Sequence, residues 1–79
     1  MEIIKKKVFD VINANLEKAT IKQEHIDSDL TILGMDSIIF IRIVVELEEA
    51  FEIEIPDEYL FIPEMNTVGK IINIILSIL

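Results

Sequence analysis

In a chain of 79 residues with no cysteine and a single histidine, hydroxyls and carboxylates are the main groups left to do chemistry. One serine has a distinctive setting. Ser37 stands in Leu33-Gly34-Met35-Asp36-Ser37-Ile38, behind a glycine and directly before an apolar run. Asp36 has the side chain of a helix N-cap, which puts the Ser37 hydroxyl on the first turn of a helix. Free backbone N–H groups and the positive end of the helix dipole favour a phosphate attached at such a place. A residue at a helix entrance is also open to a modifying enzyme. The plainer reading of the same residues is a capped helix start and nothing more.

Other chemistries fit less well. A serine hydrolase needs a base beside its nucleophile, and the one histidine, His25, lies in a polar stretch with no G-x-S-x-G around any serine. A calcium loop beginning at Asp27 continues well with Asp29 and Thr31. It then has Ile32 where the turn glycine belongs and Ile38 where the closing glutamate belongs, which rules it out. Without cysteine there is neither a disulfide framework nor a thiolate metal site. The sequence thus predicts no catalytic residue and no metal ligand.

The elements that would position Ser37 follow from periodicity. Ile4, Val8, Val11 and Ile12 make the buried stripe of a first helix over Ile3 to Leu16. A long polar stretch follows from Ala19 to Met35, with Ile21, Ile26, Leu30, Ile32 and Leu33 expected to pin it over the helices. The second helix is expected from the Asp36 cap to Phe51. Its core face carries Phe40, Ile43, Val44, Leu47 and Phe51. The opposite face carries Ile38, Arg42, Val45, Glu46 and Glu49, with Ile41 on the flank, so Ile38 and Val45 read as exposed apolar residues. A short third helix is expected to begin at Pro56 and end at Pro63. The last helix begins near Asn66 or Thr67 and turns Val68, Ile71, Ile72, Ile75 and Leu79 inward. The fold class is therefore all-α, a four-helix bundle with one short member, in one domain over residues 1–79.

Charge and hydropathy narrow the partners. The net charge is −8. Residues 27–79 hold eleven acids against two bases, and no Lys or Arg occurs between Glu46 and Glu64. Such a surface repels nucleic-acid phosphates and anionic lipid heads and suits partners with basic patches. The acidity also keeps soluble a chain that is 52% hydrophobic. No apolar run approaches the roughly 18 residues of a membrane span. The first ten residues alternate charge with apolar side chains, unlike a signal peptide. A cytoplasmic protein is expected, with neither nucleic acid nor membrane as partner.

Beyond the physics, Gly34-Met35-Asp36-Ser37-Ile38 resembles the phosphopantetheine attachment motif of acyl and peptidyl carrier proteins. The likeness continues through Val45-Glu46-Leu47-Glu48-Glu49-Ala50-Phe51 and Ile53-Glu54-Ile55-Pro56-Asp57-Glu58, and resumes at Asn66-Thr67-Val68-Gly69. Upstream, Asp29-Leu30 and Leu33 resemble the loop leading into the motif. The resemblance implies a carrier, not an enzyme. Ser37 would receive 4′-phosphopantetheine from coenzyme A through a phosphopantetheinyl transferase, and Asp36 would assist that transferase and its magnesium. The arm would carry acyl or aminoacyl groups as thioesters among loading enzymes (adenylation or acyltransferase type) and synthases. Ile38, Ile41, Arg42, Val45, Glu46 and Glu49 would meet those partners.

Fatty-acid carriers usually have acids at the positions matching Ile39 and Arg42, and this chain departs from that pattern. It suggests a stand-alone, monomeric carrier for polyketide or nonribosomal-peptide synthesis, with fatty-acid synthesis as the alternative. The position matching Phe40 is usually small or polar in the family. An inward ring there predicts poor sequestration of long acyl chains. A reading of another class is an unmodified helical adaptor that binds a partner helix through Ile38 and Val45.

Overall fold

The computed structural model describes residues 2–17 and 19–79. Among the described residues three α-helices carry the fold: α1 (Glu2–Asn15), α2 (Ser37–Phe51) and α3 (Val68–Ile78). No strand occurs among the described residues. Helix α1 packs against both α2 and α3, and their facing apolar residues close the core. Val8, Ile12, Ile43, Leu47, Ile71 and Ile75 are fully or almost fully buried there.

Each helix begins and ends for a local reason. At the start of α2 the Asp36 carboxylate accepts the Ile39 N–H at 2.9 Å, satisfying one of the orphan donors of the first turn. Thr67 does the same for α3, its hydroxyl accepting the Lys70 N–H at 3.1 Å. Met35 and Phe40, on either side of the Asp36 cap, are both buried at the positions of a hydrophobic staple. Helix α2 stops where Glu52 enters the left-handed region (φ 53°, ψ 48°), and the Ile53 N–H reaches back to the Glu48 carbonyl.

The short third helix expected from Pro56 to Pro63 is not a single helix. Two 3₁₀ turns, Asp57–Tyr59 and Ile62–Glu64, occupy that stretch. The segment is too short to repay the nucleation of an α-helix, and Leu60 (φ −84°, ψ 49°) interrupts it. Pro63 therefore does not end a helix. It sits inside the second 3₁₀ turn, near whose start a missing N–H costs no hydrogen bond.

Two apolar assignments also change. Leu79 is 63% exposed and Ile74 is buried in its place. Leu79 follows the last helical residue, so no further turn brings it onto the core, whereas the buried sector of α3 is wide enough to include Ile74. Phe51 is half-buried at the edge of the core, with the Lys7 ammonium 5.4 Å from its ring centroid.

The long connection between α1 and α2 is tied down at several points. The Asn13 side chain clamps Ile21 from both sides, donating to its carbonyl at 3.0 Å and accepting its N–H at 2.7 Å. Farther along, the Leu30 N–H donates to the Asn66 carbonyl, and the Gly69 N–H to the Ile26 carbonyl. Ile21 and Leu30 are buried and Ile26 and Leu33 half-buried, as pinning residues should be. Ile32 does not pin the loop, because it stands 82% exposed. The connection is thus fastened to α1 and to the entrance of α3, and it delivers Gly34 to the start of α2.

Candidate functional site

The site grows out of that delivery. Between Leu30 and Gly34 the chain winds through successive turns, and Gly34 leaves them at φ 110°, a conformation that side chains other than glycine rarely adopt. The Met35 N–H returns to the Leu30 carbonyl at 2.9 Å and the Met35 side chain is buried. With Met35 anchored, Asp36 caps and Ser37 opens α2. Asp29 stiffens the approach by accepting the Thr31 hydroxyl at 2.7 Å and its N–H at 3.0 Å. Those bonds, the Thr31 hydroxyl first, hold its carboxyl below the ordinary aspartate value.

Ser37 is exposed, and among the described residues nothing hydrogen-bonds to its hydroxyl. The N–H of Ile39 is taken by Asp36, and that of Phe40 by the Asp36 carbonyl. The N–H groups of Ser37 and Ile38 donate to no described residue. A phosphodiester on the Ser37 oxygen would therefore meet two unused donors at the positive end of a helix of 15 residues. The local chemistry fits a phosphate-linked group.

The family of such proteins is legible over most of the chain. A family profile described as "Phosphopantetheine attachment site" matches residues 8–75. The chain belongs to the phosphopantetheine-attachment family. The acyl carrier protein of Caulobacter vibrioides is 36% identical over 75 residues, covering 95% of this chain and 88% of that one. The acyl carrier protein of Buchnera aphidicola is 42% identical over 77 residues, covering 94% and 85%. The mitochondrial acyl carrier protein of Saccharomyces cerevisiae is 35% identical over 78 residues, covering 94% of this chain and 61% of its own length. No solved structure matches the chain significantly.

Membership makes phosphopantetheine the cofactor and the protein a carrier rather than an enzyme. It also makes the transferase that installs the group, and the enzymes that use it, the partners of a family member.

On α2 the expected partner residues share one side. Ile38, Ile41 and Val45 are 64%, 59% and 48% exposed, and their spacing of three and four stacks them in a stripe leading away from Ser37. Arg42 and Glu49 are exposed beside them, while Glu46 is half-buried. Ile39, in contrast, is buried, so it faces the core and not a partner. Phe40 is buried as its helical position predicts.

His25 stays out of any catalytic constellation: its Nδ1 accepts the Lys22 N–H at 2.9 Å and closes its own 3₁₀ turn. Among the described residues no three His, Asp or Glu side chains gather as a metal site. No helix among them is long and apolar enough to cross a membrane. The sequence reading missed a small cleft of about 350 Å³ bounded by Ala19, Ile32, Leu33 and Gly34. Its one sequence signal was Ile32, a large apolar residue in a run of turns.

Proposed function

We propose that residues 1–79 form one carrier domain that bears phosphopantetheine on Ser37 and holds acyl intermediates on it as thioesters. The observation that carries this reading is the exposed, unbonded Ser37 hydroxyl beside two unused N–H donors, inside the span matched by the family profile. In the transfer, the Ser37 oxygen forms a phosphodiester, the nucleotide part of coenzyme A leaves, and the serine proton is released. Asp36 serves twice: its carboxylate holds the first turn of α2 in place, and its exposed outer side meets the transferase and its magnesium. The prosthetic group, once bound, supplies the thiol that a cysteine-free chain lacks. The chain's own contribution is to present that group on a rigid helix end and to offer a docking face, so that tethering raises the local concentration of the cargo at each partner.

For the pathway, the reading is a carrier of polyketide or nonribosomal-peptide synthesis. The support is the docking stripe itself: Ile38, Ile41 and Val45 are exposed and apolar, and Arg42 is a cation at a position where fatty-acid carriers usually have an acid. Such a stripe fits a partner with an apolar groove and a carboxylate opposite Arg42. The second reading, fatty-acid synthesis, is favoured by the relatives named acyl carrier protein at 36–42% identity.

Incubation with coenzyme A and a phosphopantetheinyl transferase, followed by intact-mass measurement, tests the attachment. The parent should gain one phosphopantetheine, and Ser37→Ala should fold normally and gain none. A full gain in the alanine variant places the site elsewhere, and a parent that gains none favours the adaptor reading. Loading with a panel of acyl and aminoacyl groups by candidate partner enzymes then separates the pathways.

A further inference from the structure

We propose that the cleft bounded by Ala19, Ile32, Leu33 and Gly34 is a seat for the chain's own phosphopantetheine arm when the arm carries a short cargo. The inference rests on attachment at Ser37, and three observations carry it.

The first is reach. Gly34 precedes Ser37 by three residues, so the cleft wall lies at most about 11 Å from the attachment point along the chain. An extended phosphopantetheine arm is longer than that. Its tether makes this one of the first apolar surfaces that it samples, at high effective concentration.

The second is chemical match. The described lining side chains are apolar or absent, and the polar groups they bring to the cleft are those of the backbone. The carbonyls of Ile32, Leu33 and Gly34 accept no hydrogen bond from any described residue. The arm offers the complement, with amide N–H donors along its length and paired methyl groups near the phosphate end. The cleft is open to solvent on one side, and its volume of about 350 Å³ sits at the small end of ligand pockets, enough for a folded arm with a short thioester.

The third is an exposure that needs covering. Ile32 is the most exposed of the large apolar residues described, at 82%, although it stands in a loop otherwise well pinned. On the core side of α2 beside Ser37, Ile39 and Phe40 are both buried. Methyl groups of the arm laid over Ile32 and Leu33 would remove apolar surface from water on both partners.

The test compares isotope-labelled apo protein with protein converted using coenzyme A and a transferase, and then with its acetyl thioester. Intact mass first establishes that Ser37 is fully modified. Amide and methyl shifts should then change at Ala19, Ile32, Leu33 and Gly34, with nuclear Overhauser contacts from the arm's methyl groups to Ile32 and Leu33. In Ile32→Asp the modification should remain complete while those contacts vanish. Loss of contact with roughly two methylene groups of surface lowers the docked-to-free ratio by on the order of tenfold. Hydrolysis of the acetyl thioester should accelerate accordingly toward that of a free pantetheine thioester. Full modification with shifts confined to residues 36–39, or with contacts to core residues such as Leu47 or Met65, overturns the seat and leaves the attachment intact. A mass gain that survives Ser37→Ala overturns the attachment, and the seat with it.

Discussion

We propose that the Phe40 ring limits the length of acyl chain that the domain can shelter. The Phe40 side chain is only 7% exposed, on the inward side of the first turns of α2. Truncation to alanine therefore removes a nearly complete burial, and the loss expected for a buried phenylalanine is about 3–5 kcal/mol. A domain of this size has a total stability of roughly 4–12 kcal/mol, so the change takes a large share of it. Phe40→Leu keeps most of the volume and should cost no more than about 1.5 kcal/mol. Urea unfolding followed by circular dichroism gives both numbers. The freed volume lies behind the helix turn that carries Ser37, where a medium acyl chain could enter. Octanoyl thioester on Phe40→Ala should therefore hydrolyse more slowly than on the parent, with Phe40→Leu in between. Equal and strong protection of octanoyl in the parent would show that the ring blocks no pocket. A stability loss under about 1 kcal/mol in Phe40→Ala would refute the packing argument itself.

The remaining predictions concern the surface and the turns. Ile38→Ala and Val45→Ala should each cost less than about 1 kcal/mol, because both residues are exposed, while transfer to partner enzymes falls. A large drop in melting temperature with unchanged transfer would put them in the core instead. Glu52→Gly should stabilise the protein by about 0.5–1 kcal/mol, since it relieves a left-handed non-glycine residue at the end of α2. A loss of stability on urea unfolding would mean that the Glu52 side chain contributes more than its backbone costs. Asp29 has its folded-state pKa depressed by the Thr31 hydroxyl and N–H, so its contribution is present above the ordinary aspartate value of 3.8 and is lost as pH falls through the lower folded value. The stability gap between parent and Asp29→Asn should narrow as pH is lowered through that range, and a gap that widens on acidification contradicts the assigned bonds.

What the sequence determined by itself was the framework of the site. The Asp36 cap, the Ser37 position and the entrance of α3 at Thr67 are encoded within a few residues of where they act. The inward stripes of α1 and α2 were legible for the same kind of reason, because a helix turns its faces at a fixed period whatever it packs against. The family motif was legible as well, since its glycine, acid and serine fall within the four residues Gly34 to Ser37.

Only the tertiary structure decided the rest. Whether the segment between Pro56 and Pro63 forms one helix or two 3₁₀ turns depends on marginal local energies that packing overrides. Ile21, Leu30 and Ile32 stand in the same irregular connection with similar side chains, yet the first two are buried and the third is open to solvent. Their fates are set by where distant groups hold the loop: Asn13 at Ile21, and Asn66 at Leu30. A helix carries its burial pattern in its own period, whereas a loop takes its pattern from whichever neighbours the fold brings to it. That is why Ser37 could be placed from the sequence and the cleft beside it could not.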